Sequence, residues 1–215
     1  MFRLPGGTPS RLVVLLHGGT GRTEAYPHGW RNPAHLLMLT FVPVILWTGG
    51  RQVAVAAVHH PAGGWLRRVG GSQGGWHSDV DRLHQVLDDL RVRHGRSLPV
   101  TIVGHSSGGW AALRAASAAA PDDVDAVLAI APWVSPTNPP RISGAPYVVI
   151  AHGRQDRVTS PIDSQAVYEQ LVQAGVDAAY VAMPGGHTLI RHWFAWRRVV
   201  ARFTRKVLTR APRQG

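Results

Sequence analysis

The chain has 215 residues, of which 45% are hydrophobic and 16% are charged, and this suffices for one domain with a substantial core but not for two. It contains no cysteine, which excludes disulfide bonds, thiolate metal sites and a cysteine nucleophile. The net charge of +11 arises mainly between residues 191 and 213, where eight side chains are basic and none is acidic. No nucleic-acid-binding motif accompanies this charge, so we expect no nucleic-acid partner.

The N-terminal half alternates between strand-like and helix-like segments. The chain begins without a basic stretch followed by a long apolar core, so we expect no signal peptide and a cytoplasmic location. Arg11–His17 is an unbroken apolar run that ends in His-Gly-Gly-Thr, which is typical of a strand buried on both faces. Leu36–Trp47 predicts a buried or interfacial helix, because a bilayer span needs about 20 apolar residues. A strand over Gln52–Val58 and an amphipathic helix over Ser78–Gly95 follow.

The C-terminal half continues the same alternation. It contains four further strand-like runs and three helical patterns, of which the last sets an apolar stripe against an arginine face. The strands are Val100–Val103, Val124–Ala131, Tyr147–Ala151 and Ala178–Met183, and the helices are Trp110–Ala120, Ser160–Gly175 and His192–Leu208. Alternating strands and helices predict an α/β fold with about six mainly parallel strands and helices on both faces, formed by residues 1–215 as a single domain.

The run Leu36–Trp47 is apolar nearly all round, although a helix that covers one face of a sheet should have a polar outer stripe. Either Pro43 breaks the run so that both halves pack inward, or the surplus apolar surface meets a partner. One candidate partner is a second copy of the chain, in a homodimer whose interface includes Phe41 and Ile45. The other is an anionic membrane surface, which would attract the basic side chains of the last helix.

Gly104-His105-Ser106-Ser107-Gly108 matches the motif G-x-S-x-G. Ser106 follows a predicted strand and precedes a predicted helix, which is the context of a nucleophile elbow, where a sharp turn exposes the serine hydroxyl. Gly70–Gly74, around Ser72, also matches, but two arginines precede it and a second loop follows it. We therefore predict that Ser106 is the nucleophile. The alternative is a glycine-rich turn in which Ser106 only caps the helix.

A serine nucleophile needs a base and a carboxylate that orients the base. In doubly wound sheets such groups lie on loops at the carboxyl ends of strands. Of the acidic residues after Ser106, only Asp156 follows a strand end directly, and His187 lies in the Pro-Gly-Gly-His loop after the sixth strand. The order Ser106, Asp156, His187 therefore predicts a catalytic triad.

An oxyanion formed during acyl transfer needs two hydrogen-bond donors, which are usually backbone N–H groups. Ser107, the residue after the nucleophile, is expected to supply one. The turn after the first strand can supply the other from Gly19, or from Thr20 if the turn is wound differently.

With these motifs the chain resembles the α/β-hydrolase superfamily, in its small, cap-less branch of esterases and dienelactone-hydrolase-like proteins. The resemblance runs from L-L-H-G-G-T through G-H-S-S-G and H-G-R-Q-D to P-G-G-H. It implies a minimal α/β-hydrolase fold without a cap domain. The first recognisable strand already leads to the oxyanion turn, so the two N-terminal antiparallel strands of the full family sheet are expected to be missing. Dienelactone hydrolases proper carry a cysteine where this chain has Ser106.

We therefore expect a serine hydrolase that acts on carboxylic esters or thioesters of small acyl compounds, with no cofactor and no metal ion. Peptidase or perhydrolase activity would use the same residues. The alternative is a non-catalytic protein of this fold that binds a partner or a membrane surface. The segment Pro132–Pro146, where larger relatives insert a lid, is one loop long and predicts an open, shallow site. Trp65, Trp110 and Trp133 are candidates to line that site.

Overall fold

The computed structural model describes residues 1–6, 8–19, 32–59, 65–68, 76–78, 80–94, 98–117, 124–142 and 146–210. Seven strands form the central sheet: β1 (Phe2–Arg3), β2 (Arg11–Leu16), β3 (Val53–Val58), β6 (Val100–His105), β7 (Ala126–Ile130), β8 (Tyr147–Gly153) and β9 (Ala178–Met183). Two further short strands, β4 (Leu66–Arg68) and β5 (Trp76–Ser78), pair with each other in a separate antiparallel hairpin.

The central sheet has the order β1-β3-β2-β6-β7-β8-β9, and every neighbouring pair is parallel except β1 with β3. The six predicted strands are confirmed, with ends shifted by one or two residues. The expectation that both N-terminal antiparallel strands of the full family sheet are missing is wrong for one of them, because Phe2–Arg3 pairs antiparallel with Ala54 and Val55 at the edge of the sheet. Two residues are too few to show an apolar alternation in the sequence.

The described residues include six α-helices, of which the first five lie between strands and the last follows β9: α1 (Pro33–Leu39), α2 (Val42–Gly49), α3 (Val80–His94), α4 (Ser107–Ala115), α5 (Pro161–Gln173) and α6 (Trp193–Thr209). Ser160 caps the start of α5, since its hydroxyl accepts a hydrogen bond from the N–H of Asp163 at 3.1 Å. The buried stripe of α5 consists of Ser164, Val167 and Leu171. α3 begins two residues after Ser78, which belongs to β5.

Two hydrophobic layers enclose the sheet because successive residues of a strand point to opposite faces. Leu12 and Val14 of β2 face the layer formed with α3, α4 and α5. Val13 and Leu15 face the other layer, formed with α1, α2 and α6. Strands buried on both faces explain the unbroken apolar runs in the sequence.

By length and apolar composition alone, residues 33–52 would suffice for a membrane span. The structure instead divides them into α1 and α2, with Pro43 in the first turn of α2, where its missing N–H costs no hydrogen bond. Both halves pack against the sheet, which agrees with the expectation that the run is broken into two inward-packing parts. A core helix passes the same composition test as a membrane span.

The prediction that Phe41 and Ile45 take part in a dimer interface is wrong, whereas the homodimer itself stays a prediction. Both side chains are fully buried in the layer that α6 covers, and the ring of Phe41 lies 4.8 Å from that of Trp193. A partner could reach them only after α6 had moved away. Apolar side chains that remain exposed on these helices include Leu36 of α1 (44% exposed), Trp47 of α2 (79%) and Phe194 of α6 (73%). Contact of this face with an anionic membrane stays a prediction.

Candidate active site

Ser106 lies in a sharp turn between the end of β6 and the start of α4. Its backbone has φ 57° and ψ −122°, a left-handed conformation that is costly for a residue with a Cβ. The flanking glycines make this turn possible. A Cβ on Gly104 would lie 2.2 Å from the carbonyl oxygen of Gly108, and a Cβ on Gly108 would lie 2.5 Å from that of Leu16. The predicted elbow geometry is thus present around Ser106.

The three predicted triad residues lie in one chain of hydrogen bonds. Ser106 Oγ is 3.0 Å from His187 Nε2, and His187 Nδ1 is 2.8 Å from Asp156 Oδ2. The side chain of Asp156 is fully buried, and that of His187 is 14% exposed. The N–H of Nδ1 donates to the carboxylate, so Nε2 carries the lone pair and can accept the serine proton.

Asp156 is held as a carboxylate by donors of its own loop. Its Oδ1 accepts hydrogen bonds from the N–H groups of Val158 at 2.8 Å and Thr159 at 3.1 Å. Burial raises the pKa of Asp156, but the hydrogen bonds from Thr159, His187 and Val158 outweigh it, so its pKa lies below the ordinary value of 3.8. The group therefore presents a negative charge to His187 at neutral pH.

His152 and Thr159 also contact Asp156. Their roles were not predicted from the sequence. His152 Nε2 lies 3.2 Å from Asp156 Oδ2, and its Nδ1 lies 2.8 Å from Ser164 Oγ. Thr159 Oγ1 donates to Asp156 Oδ2 at 3.1 Å. Burial lowers the pKa of His152, which is consistent with a neutral ring that donates to Asp156 and accepts from Ser164. These contacts fix the carboxylate that orients His187.

His105, next to Ser106 in the sequence, also contacts His187. Its Nε2 donates to the backbone carbonyl oxygen of His187 at 2.9 Å, and the two rings lie 4.8 Å apart. Burial, with a smaller contribution from His187, lowers the pKa of His105 to about 3. His105 is therefore a neutral hydrogen-bond donor throughout the physiological range. The motif G-x-S-x-G leaves this position open, so the sequence carried no signal for the contact.

The structure contradicts the assignment of Gly19 as an oxyanion donor. The N–H of Gly19 donates to Ser107 Oγ at 3.1 Å, and the same hydroxyl donates to the carbonyl oxygen of Gly19 at 2.7 Å. This N–H is thus engaged within the protein. The alternative donor, Thr20, lies outside the described residues. Ser107 is the first residue of α4. The backbone N–H groups at the start of a helix have no partner within it, and that of Ser107 is one of them.

The turn after β2 packs directly against Ser106. A Cβ on Gly18 would lie 2.8 Å from Ser106 Cβ and 3.2 Å from the carbonyl oxygen of His105. Only glycine fits this space. The Ser107 side chain then holds the next residue, Gly19, through two hydrogen bonds. Ser107 thereby ties the turn after β2 to the start of α4.

Comparisons with known proteins agree on the architecture. Residues 67–147 match the sequence model of a hydrolase family described as serine aminopeptidase, S33. The solved structure of esterase PE8 is similar at 22% identity, with a TM-score of 0.69 and 96% of both chains covered. XC6422 from Xanthomonas campestris, described as an α/β serine hydrolase without lid, is similar at 19% identity, with a TM-score of 0.65, over 98% of this chain and 88% of that one. The chain has the cap-less α/β-hydrolase fold.

A third similar structure is Est1E from Butyrivibrio proteoclasticus with ferulic acid bound, at 17% identity and a TM-score of 0.63, over 95% of this chain and 92% of that one. A comparison with curated protein sequences gives no match. In this α/β-hydrolase fold the described residues between β7 and β8, which are 131–142 and 146, form no helix. The predicted absence of a cap in this segment therefore agrees with the structure and with the likeness to a protein without lid.

Two of the three tryptophans predicted to line the substrate site are core residues of the α/β-hydrolase fold. Trp65 and Trp110 are buried in the layer beneath α3, α4 and α5. The Trp65 indole N–H donates to the carbonyl oxygen of His17 at 2.9 Å, so its polar atom serves the turn after β2. Trp133 is 37% exposed, and its backbone N–H donates to the carbonyl oxygen of Ser106 at 3.2 Å. Trp133 remains the candidate for contact with a substrate.

The second G-x-S-x-G match cannot be compared with the elbow at Ser106. Residues 69–75, which include Ser72, lie outside the described residues. The prediction that Ser72 is not the nucleophile therefore rests on its sequence context alone, and a Ser72 variant serves below as a control.

Proposed function

We propose that this protein is a serine hydrolase of carboxylic esters or thioesters that works through an acyl-enzyme. One observation carries the proposal: the hydrogen bonds from Ser106 Oγ to His187 Nε2 at 3.0 Å and from His187 Nδ1 to Asp156 Oδ2 at 2.8 Å. This arrangement of nucleophile, base and orienting carboxylate is the one that activates a serine hydroxyl. Serine, imidazole and carboxylate suffice for the reaction, so no cofactor enters the proposal.

The reaction follows from the contacts of these three residues. Ser106 Oγ attacks the acyl carbon as His187 Nε2 takes its proton, and the N–H of Ser107 donates to the oxyanion that forms. The imidazolium is stabilised by Asp156, and it returns the proton to the departing alcohol or thiol. Water, activated by the same Nε2, then attacks the acyl-enzyme and releases the acid and free Ser106.

The loop after β7 favours short acyl groups. Its described residues, 131–142 and 146, include no helix that could close over Ser106, and the exposed part of Trp133 offers only a limited apolar surface. A long acyl chain would stay in water, so its additional methylene groups would contribute little to binding. We therefore expect kcat/KM to change little or to fall as the acyl chain lengthens.

Hydrolysis of p-nitrophenyl esters from acetate to decanoate tests the proposal. We expect activity on the shorter esters, and we expect Ser106→Ala to lower kcat by about 10⁴-fold or more. Ser72→Ala is the matched control, because it removes the serine of the second motif match, and it should leave kcat unchanged. Loss of activity in Ser72→Ala, with Ser106→Ala still active, would reverse the assignment of the nucleophile.

A panel of other acyl compounds then defines the substrate class. An acyl thioester tests for thioesterase activity. An aminoacyl p-nitroanilide is included because the matching family is described as serine aminopeptidase, and methyl ferulate because one similar structure holds ferulic acid. We expect turnover of the ester and thioester, and slower turnover of the anilide because its leaving group needs more acid assistance. An inert wild-type protein across the whole panel would favour the alternative of a non-catalytic binding protein.

A further inference from the structure

Three histidines that take no part in the proposed reaction lie together at the carboxyl edge of the sheet. His17 directly follows β2, His59 directly follows β3, and His35 lies in α1. β2 and β3 are parallel neighbours, with Leu16 opposite Val58. The next residue of each strand is a histidine, so the sheet register sets His17 beside His59, and α1 adds His35 to them.

The ring nitrogens of these histidines are close enough to share one ion. One nitrogen of each lies within 4.8 Å of a nitrogen of each of the others. The rings of His35 and His59 stack with centroids 3.7 Å apart, and the ring of His17 meets that of His35 edge-on at 5.3 Å. Nitrogens bound to one tetrahedral Zn²⁺ lie about 3.4 Å apart, since each Zn–N bond is about 2.0–2.1 Å long. Binding of one ion therefore requires the side chains to rotate until their nitrogens are this close.

The hydrogen bond of His17 suits a metal ligand. Its Nδ1 lies 2.7 Å from the carbonyl oxygen of Gly18, which can only accept, so the ring proton is on Nδ1 and the lone pair is on Nε2. Histidines that bind metal ions typically donate their other ring N–H to a backbone carbonyl or carboxylate in this way.

The donor set and its burial indicate the class of ion. Imidazole nitrogen is a preferred ligand of Zn²⁺, Ni²⁺ and Cu²⁺, whereas Ca²⁺ and Mg²⁺ prefer oxygen. His17 and His35 are buried, while His59 is exposed. An ion can therefore enter from the side of His59, and a water molecule can complete its coordination from that side.

We propose that His17, His35 and His59 bind a divalent transition-metal ion, represented here by Zn²⁺. The ion would link the ends of the neighbouring strands β2 and β3 to the helix α1, which lies between them in the sequence. It would also fix the start of the turn that packs on the nucleophile, because Gly18, next to His17, lies against Ser106. The role is structural: the ion forms bonds to the protein and to water, and the acyl transfer needs none of them.

Zinc titration of the metal-stripped full-length protein tests this site. We expect one Zn²⁺ per chain by calorimetry, a visible absorption band when Co²⁺ is used instead, and a rise in Tm of roughly 5–10 °C at saturating Zn²⁺. His59→Gln and His35→Gln should each weaken Zn²⁺ binding by more than about 100-fold, since even loss of an outer hydrogen-bond partner costs roughly 10- to 100-fold. His59 is exposed, so His59→Gln should fold normally, which circular dichroism checks.

Three controls separate this site from the other histidines and from the proposed reaction. His187→Gln removes the triad histidine, which could itself capture Zn²⁺, and His84→Gln removes a histidine of α3; both should bind Zn²⁺ like the wild type. Ser106→Ala, inactive as a hydrolase, should also bind it unchanged. The proposal is overturned if the wild type binds no Zn²⁺ at micromolar concentrations, if His59→Gln binds as tightly as the wild type, or if binding is lost in His187→Gln.

Discussion

Asp156→Asn is expected to lower kcat for ester hydrolysis by about 10⁴-fold with little change in KM. Asp156 Oδ2 accepts from His187 Nδ1 at 2.8 Å, which keeps the lone pair on Nε2 facing Ser106. An asparagine can present its NH₂ group to Nδ1, and the ring then carries its proton on Nε2, where it can no longer act as a base. Steady-state kinetics on a short p-nitrophenyl ester measure the change.

Asp163→Asn provides the matched control for this substitution. Asp163 lies in the first turn of α5, seven residues after Asp156. Its backbone N–H donates to the hydroxyl of Ser160, which caps the helix, and this bond does not involve the Asp163 side chain. We expect it to retain the wild-type kcat within about threefold. If Asp156→Asn kept wild-type kcat, or if both variants lost activity equally, Asp156 would not be the carboxylate that orients His187.

Acid is expected to destabilise the fold through His105. The unfolded chain binds a proton at this residue below the ordinary histidine pKa of 6.5, whereas the folded protein does so only near pH 3. Below pH 6.5 the unfolded state therefore binds more protons, and the free energy of unfolding falls as the pH falls. The slope is about half of 1.4 kcal/mol per pH unit at pH 6.5 and approaches the full value below about pH 5.5, so His105 alone accounts for a loss of roughly 2 kcal/mol between pH 6.5 and 4.5.

Urea unfolding of the wild type and of His105→Gln at pH 6.5 and 4.5 measures this contribution. The lowered pKa values of His152 and Asp156 act in the same direction, so the wild type loses stability on acidification through several groups. In His105→Gln the loss between the two pH values should be smaller by roughly 2 kcal/mol, whatever the stability of the variant at pH 6.5. An equal loss in both proteins would mean that His105 accepts protons in the folded state.

The elements that carry the site were predictable because their signals are local. Strands buried on both faces appear as unbroken apolar runs. The glycines on either side of Ser106 are required because a Cβ at Gly104 or Gly108 would lie only 2.2 or 2.5 Å from a backbone carbonyl oxygen. The rule that functional loops follow the carboxyl ends of parallel strands then selected Asp156 and His187. These predictions needed only the order of elements and the chemistry of a few residue types.

The remaining features depend on distances across the sheet that the sequence does not contain. Gly19 and Ser107 are 88 residues apart, and their mutual hydrogen bonds appear only once β2 lies next to β6. Trp65 was predicted to line the pocket, but it lies in the core layer with α3, α4 and α5, where its indole N–H donates to the carbonyl oxygen of His17.

The roles of His105, His152 and the histidine cluster were missed for a related reason. His105 lies in the motif G-H-S-S-G and His152 in the segment H-G-R-Q-D, but their contacts depend on the direction of their side chains. His17, His35 and His59 show no metal-ligand spacing along the chain, and only the pairing of β2 with β3 brings two of them together. Such contacts become predictable only when strand order and register are known.

The most direct test of the proposed chemistry is the site of covalent labelling by a fluorophosphonate, read by mass spectrometry after tryptic digestion. Only a serine activated as in the proposed triad should react rapidly with this probe. We predict a single adduct on the peptide of residues 97–114, assigned to Ser106 by fragmentation, which disappears in Ser106→Ala and persists in Ser72→Ala. An adduct on the peptide of residues 69–82, or labelling that survives in Ser106→Ala, would contradict the assignment of Ser106 as the nucleophile.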